Sequence, residues 1–297
     1  MHLQGIYPPL PTFFSPTEEL DLETLQRHVM RLKSTGIAGY VLLGSNGEAV
    51  HLTDSERAQV VAAARAAAGP EAQLLVGTGT FSTQATIALC HLAAAAGGDA
   101  IVVLPPHYYR EQMTIDVLVS HYHVVADASP IPVIIYNMPA NTGGLDLDAA
   151  TVLAIARHPN IIGVKDSSGN VMKLAQIAAS ARPDFAILAG SAGFLLPALA
   201  VGAVGAVAAL ANIAPEHCCA VQQLFREGQL APARELQARL IPVNTAITAQ
   251  YGVPGLKAAL ELIAGYGGIP RRPLLPLDTA RRIQLQEVLV AAGLLRQ

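Results

Sequence analysis

Short runs rich in apolar and β-branched residues alternate along this chain with stretches whose apolar positions recur at helical spacing. Repeated strand-helix units are the expected result. The strand candidates are PLPTFF at 9–14, GYVLLG at 39–44, QLLVGTG at 73–79 and AIVVLP at 100–105, then PVIIYN at 132–137, IIGVKD at 161–166, AILAG at 186–190 and AVGAVAAL at 203–210. Most are apolar throughout rather than alternating, as befits a parallel sheet covered on both faces. The best-marked helix opens at Thr53, where T-x-x-E forms a capping box with Glu56 ahead of AQVVAAARAAA.

Eight such units with no linker or break in composition predict a closed (β/α)8 barrel; an open, doubly wound sheet is the alternative. Beyond about residue 215 the pattern turns to helix after helix: EHCCAVQQLFREG, QLAPARELQARL, GVPGLKAALELIAGY and DTARRIQLQEVLVAAGLL. The expected organisation is a barrel over 1–215, with helices over 216–297 completing and extending it as one structural unit. The 297 residues exceed the roughly 250 of a bare barrel by enough for these extra helices.

The segment Phe185–Pro215 carries no charge and is long enough to span a bilayer. Gly190, Gly193, Pro197, Gly202 and Gly205 interrupt it, and it divides into strand (FAILAG), helix (AGFLLPALAV) and strand (GAVAAL). Buried barrel strands account for it without a membrane.

Composition narrows the partners. Hydrophobic residues make up 52% and charged residues 14%, enough apolar material for a large core. With 19 basic against 22 acidic residues and no basic cluster, neither nucleic acid nor an anionic membrane is an expected partner, which leaves small molecules. Cys90, Cys218 and Cys219 are odd in number and two are adjacent, so a disulfide framework is not expected. The opening MHLQGIYPPLPTFF lacks the basic start and unbroken apolar run of a signal peptide. Cytoplasmic residence follows as the expectation.

In a β/α barrel the active site is built at the C-terminal ends of the strands. Those ends carry Gly44-Ser45-Asn46-Gly47-Glu48 after the second strand, Tyr108-Tyr109 after the fourth, Tyr136-Asn137 on the fifth, Lys165-Asp166-Ser167 on the sixth and Gly190-Ser191 after the seventh. Lys165 ends an apolar strand, where burial disfavours its charge and moves an amine toward nucleophilicity. The plainer reading is a rim lysine paired with Asp166 or another carboxylate. Tyr136, one strand earlier, is close enough for its phenol to shuttle protons, or is a satisfied core tyrosine. The G-S-N-G-E turn offers a hydroxyl and free backbone N–H groups suited to a carboxylate, or is simply a polar turn.

Other chemistries lack their motifs. The chain has no G-x-G-x-x-G, no phosphate-binding P-loop and no H-E-x-x-H. His217-Cys218-Cys219 reads as a helix segment rather than a metal site. His121 and His123 read as packed or solvated helix residues. GSAGF after the seventh strand is small enough to cradle a phosphate, which keeps an unrelated phosphate- or flavin-binding barrel as an alternative.

Taken together, GSNGE, YNMPANTG, GVKDSSGN and LAGSAGF, in that order at strand ends, resemble the dihydrodipicolinate synthase / N-acetylneuraminate lyase family of pyruvate-dependent class I aldolases over nearly the whole chain. The resemblance implies that Lys165 forms an imine with a 2-oxo acid and that Tyr136 is its acid/base. It implies that Ser45 and Asn46 hold the pyruvate carboxylate, with Ser45 also in a proton relay to Tyr136, and that Gly190 lines the substrate site. Tyr108 matches the family tyrosine that reaches a neighbouring subunit's site, and the family's usual state is a homotetramer. No metal or other cofactor is implied, the covalent imine taking that role.

One position departs from the family pattern. Before T-G, typical dihydrodipicolinate synthases carry an arginine for the second substrate's carboxylate, whereas this chain has Asn141, which lacks the charged fork. The segments GSNGE, HYYREQM, PANTG and KDSSG are more similar to those of 4-hydroxy-2-oxoglutarate aldolases. Cleavage of that substrate to pyruvate and glyoxylate is therefore expected, with Asn141 and Ser167 orienting the glyoxylate end. The alternatives are dihydrodipicolinate synthesis with unusual recognition, a 2-keto-3-deoxy-sugar-acid aldolase or dehydratase, a sialic acid lyase, or a non-catalytic 2-oxo-acid sensor.

Overall fold

The computed structural model describes residues 1–296. Eight parallel strands follow in chain order: β1 (Gly5–Tyr7), β2 (Gly39–Leu42), β3 (Gln73–Gly77), β4 (Ala100–Val103), β5 (Val133–Asn137), β6 (Ile161–Asp166), β7 (Ala186–Ala189) and β8 (Gly205–Val207). Helices α1 (Leu22–Leu32), α2 (Asp54–Ala68), α3 (Thr83–Ala95), α4 (Ile115–Ala128), α5 (Ala149–Ile155), α6 (Val171–Ser180), α7 (Leu195–Ala200) and α8 (Pro215–Arg226) follow them in alternation. β1 pairs with β8, so the sheet returns on itself.

The gap between β1 and β2 is closed by β1 itself and by the chain just beyond it. Ala38 N donates to Ile6 O (2.9 Å), Val41 N to Pro8 O (3.0 Å) and Leu10 N to Val41 O (2.8 Å). The barrel is closed, and an open doubly wound sheet is set aside.

This closure corrects the first strand, expected at residues 9–14. Pro8, Pro9 and Pro11 have no N–H to donate, so the regular ladder ends at Tyr7. The 9–14 stretch instead runs along the barrel mouth, bridging Pro9 to Val41 and, antiparallel, Phe14 to Leu20. The other seven strands fall inside their expected segments, mostly shorter at the ends where loops begin.

Two apolar layers result. Tyr7, Val41, Leu75, Val102, Ile134, Tyr136, Leu188 and Val207 form an inner cluster, while the strands' opposite faces join the surrounding helices. Phe185–Pro215 becomes β7, α7 and β8 as expected, and among the described residues no helix is long and apolar enough to cross a membrane. At Thr53 both halves of the capping box form: Thr53 N donates to Glu56 Oε2 (2.8 Å), and Glu56 N donates to Thr53 Oγ1 (3.3 Å).

Beyond α8 come α9 (Leu230–Thr245), α10 (Gly252–Ala264) and α11 (Thr279–Ala291), with one π-type turn, Ala246–Gln250, between α9 and α10. α10 packs against the turn that follows β2 at the barrel mouth. The last helices therefore bear on the place where the site is expected.

Candidate active site

The mouth is built from paired strand ends. Tyr136 and Lys165 are register partners on β5 and β6, so their side chains leave the sheet side by side. Both are 4% exposed, and Lys165 Nζ lies 3.7 Å from the centroid of the Tyr136 ring. The amine rests on the face of the phenol, an arrangement attractive to a cation.

Ser45 approaches from the 3-10 turn Ser45–Gly47 after β2, its Oγ 3.3 Å from the Tyr136 hydroxyl. Asn141, in the turn after β5, donates from Nδ2 to Ser45 Oγ at 2.9 Å. A continuous line runs from Asn141 through Ser45 and Tyr136 to Lys165. Burial alone raises the Tyr136 phenol; the Lys165 charge, joined by hydrogen bonds from Ser45, Lys165 and Ser167, outweighs it and holds the phenol below the ordinary tyrosine range. Such a phenol gives up its proton more readily than free tyrosine, which brings it closer to the range useful for proton transfer.

Ser167 and Gly190 are brought to the same place. A Cβ on Gly190 would stand 1.9 Å from Ser167 Oγ, so only glycine lets the β7 end approach the β6 end this closely. Gly190 N also donates to Asp166 O (2.6 Å). Asn46 lies in the same turn as Ser45 and is partly exposed at the mouth.

Tyr108 is the exception. It is 74% exposed and packs edge-on against Phe81 and Tyr109, with no hydrogen bond to the Ser45–Tyr136 line within this chain. Its place is on the outer rim.

The plainer reading of Lys165 required an acid beside it, and Asp166 was the obvious one. Asp166 is taken by another lysine. Lys173, from α6, lies 2.8 Å from Asp166 Oδ2 and 2.6 Å from Asp146 Oδ1, and Asn137 Nδ2 donates to both carboxylates at 2.8 and 2.6 Å. Among the described residues no carboxylate lies within 4.0 Å of the Lys165 amine. Alternation along β5 and β6 explains this: Tyr136 and Lys165 face one side, and Asn137 and Asp166 the other.

Sequence reasoning missed this second layer, as it missed a matching pair in which Lys257 from α10 meets Glu48 from the GSNGE turn. The available signal was a lone lysine on an otherwise apolar helical face, in VMKLAQIAAS and in GLKAALELIA. The phosphate alternative loses its cradle, because the GSAGF turn is occupied: Ser191 Oγ accepts from Gly193 N (3.1 Å) and from Asn244 Nδ2 (3.0 Å). Among the described residues no three or more His, Cys, Asp or Glu side chains gather as a metal site, and all three cysteines are free. His121 is hydrogen-bonded to Thr83 Oγ1 (2.9 Å) and His123 to Ile155 O (3.1 Å), away from the mouth.

Residues 2–292 match the Dihydrodipicolinate synthetase family. The chain belongs to that family. Among its relatives, a probable mitochondrial 4-hydroxy-2-oxoglutarate aldolase of Emericella nidulans is 42% identical over 95% of this chain and 93% of its own. An L-threo-3-deoxy-hexylosonate aldolase of Hypocrea jecorina is 39% identical over 95% and 94%. Among solved structures, YagE of E. coli K12, a prophage protein of the dihydrodipicolinic acid synthase family in complex with pyruvate, superposes with a TM-score of 0.92 at 31% identity, covering 98% of this chain and 99% of that one. The resemblance read from four motifs is thus a family membership, and the barrel that the repeated strand-helix pattern predicted is the one observed.

Proposed function

We propose that this member of the dihydrodipicolinate synthetase family is a class I aldolase that cleaves 4-hydroxy-2-oxoglutarate to pyruvate and glyoxylate through an imine on Lys165. The observation that carries the reading is the buried Lys165 amine, with no carboxylate beside it among the described residues, 3.7 Å over the ring of a phenol held below its ordinary pKa. The names of the Emericella and Hypocrea relatives support an aldolase acting on a 2-oxo acid.

The Lys165 amine adds to C2 of the substrate, and loss of water gives a protonated imine that accepts electrons. Tyr136, as phenolate, takes the C4 hydroxyl proton; the C3–C4 bond breaks, its electrons enter the imine, and glyoxylate leaves. Tyr136 returns the proton to C3 of the enamine, and water hydrolyses the imine to release pyruvate and restore the amine. Splitting the cleavage into imine and enamine steps lowers each barrier. Ser45 holds the Tyr136 hydroxyl in line and, with Asn46, binds the C1 carboxylate; Asn141 and Ser167 orient the glyoxylate end. No metal or organic cofactor takes part.

Tyr108 completes a neighbouring subunit's site within a dimer, and dimers pair into a tetramer. An exposed aromatic rim of Phe81, Tyr108 and Tyr109 supports this placement. Mixing Lys165→Ala with Tyr108→Phe chains tests it, since hybrid dimers regain one intact site. Cytoplasmic residence is part of the same reading, supported by the three free cysteines; cell fractionation checks it.

Borohydride reduction with pyruvate, followed by peptide mapping, tests the central claim. A pyruvate-sized adduct on Lys165, absent from Lys165→Ala, is expected; a folded wild type that gives none overturns it. The Hypocrea relative's name favours one second reading, a longer 3-deoxy sugar acid as substrate. A panel of aldehydes offered with pyruvate separates the two.

A further inference from the structure

The turn proposed to bind the substrate carboxylate is strained at both ends, although Gly47 N donates to Gly44 O (3.0 Å) and Glu48 N to Ser45 O (3.2 Å) within it. Leu43 at φ 54° and Glu48 at φ 51° are non-glycine residues in the left-handed region, and they bracket Gly44–Gly47 on both sides. Each costs about 1–2 kcal/mol relative to ordinary backbone, so the turn persists only if its surroundings enforce it.

Part of what enforces it comes from the far end of the chain. The Glu48 side chain is 1% exposed; its Oε1 lies 2.6 Å from Nζ of Lys257 on α10, itself 1% exposed. Glu48 Oε2 accepts from Arg271 N at 2.9 Å. Lys257 also donates to Ile269 O (2.7 Å) and lies 4.6 Å from the centroid of the Phe14 ring. On the other side, Thr12 Oγ1 donates to Gly47 O (2.6 Å).

A buried ion pair seldom stabilises a fold more than apolar packing of the same volume would, so stability alone does not account for two charges here. Their position does. Glu48 is three residues from Ser45, and its carboxylate is fixed by Lys257, by the Arg271 backbone N–H and, 3.3 Å from Oε2, by His51 Nδ1, which sets the register of the whole turn.

We infer that Lys257 is a positioning residue for substrate binding: acting through Glu48, it holds Ser45 and Asn46 in the geometry that receives the 2-oxo-acid carboxylate. The inference rests on the proposed role of that turn. It gives the helices beyond the barrel a part in affinity for the substrate rather than in the bond-breaking step.

The test uses the full-length protein with pyruvate as probe, following borohydride trapping at Lys165 against pyruvate concentration. Lys257→Met is expected to raise the half-saturating pyruvate concentration by about tenfold, while trapping at saturation stays within about threefold of wild type. Glu48→Gln, whose neutral amide lets Lys257 shed its proton, shifts half-saturation in the same direction by less. The paired variant Glu48→Gln/Lys257→Met removes the stranded charge and binds more tightly than Lys257→Met alone. If Lys257→Met fails to fold, Glu48→Gln and the paired variant decide.

Unchanged half-saturation in folded variants, or a fall confined to the saturating rate, overturns the inference, because a purely structural role lowers the melting temperature without moving affinity. Absence of any adduct in the wild type is a different failure. It strikes the imine reading and not the role of Lys257.

Discussion

Two buried lysines, on β6 and on the helix that follows it, are treated in opposite ways. Lys173 is clamped between Asp146 and Asp166, while the Lys165 amine lies over the ring of Tyr136 with no carboxylate within 4.0 Å among the described residues. Lys257, behind the β2 turn, repeats the first arrangement with Glu48. A charge taken out of water must be compensated, and where a carboxylate does it the ammonium is fixed and inert. Where a phenol does it, the proton can move between the two. The difference separates lysines that brace the site from the one proposed to react in it.

The largest expected effect falls on the unclamped lysine. Lys165→Ala should lose activity by roughly 10⁴-fold or more, as removal of a covalent nucleophile does, with the fold intact by circular dichroism. Retained activity would break the comparison at once. Tyr136→Phe should cost about 10²–10⁴-fold in kcat, the range for loss of a general acid/base, while still forming a trappable pyruvate adduct.

Lys173→Met tests the clamped side. It strands the Asp166 carboxylate, which is fully buried, and should lower stability by about 3–5 kcal/mol in denaturant titration. Lys173→Met/Asp166→Asn should recover part of that loss. A variant of normal stability and lost activity would mean that the clamp is chemical rather than structural.

Ser45→Ala sharpens the phenol side. Ser45 is one of the groups lowering the Tyr136 pKa, so its loss raises that pKa. The limb of the pH profile on which activity rises as phenolate forms should therefore move to higher pH. An unmoved limb removes Ser45 from the relay.

An effect seen only in acid concerns a buried base with neutral partners, away from the site. His28 is held by Asn212 Oδ1 and the Tyr266 hydroxyl, each at 3.0 Å. Burial, with the nearby Arg31 charge adding to it against the Asn212 hydrogen bond, lowers its pKa to about 3. The unfolded chain, with a histidine near its ordinary 6.5, then binds the proton first. Stability should be unaffected by this group above about pH 6.5 and fall as pH drops from there toward 3, and His28→Gln should flatten that slope.

Much of this was legible before folding. The period of apolar positions and the buried-strand runs determine eight β/α units, because a strand covered on both faces must be apolar along its length. The strand-end position of Lys165, Tyr136, Ser45, Asn141, Ser167 and Gly190 is likewise a property of the chain, since the register of each strand places its last residues at the mouth. The first strand was misplaced because PLPTFF has strand-like composition, and only the ladder shows that its prolines have no hydrogen to contribute.

What the tertiary structure alone decided is which charge meets which. Asp166 is next to Lys165 in sequence and faces away from it, because successive residues of a strand point to opposite sides. Its partner arrives from α6, and the partner of Glu48 arrives from a helix some two hundred residues later in the chain. Composition and periodicity report burial, which is a one-body property of a position. Pairing of buried charges is a two-body property, and it exists only once the barrel has closed and brought distant segments to one mouth.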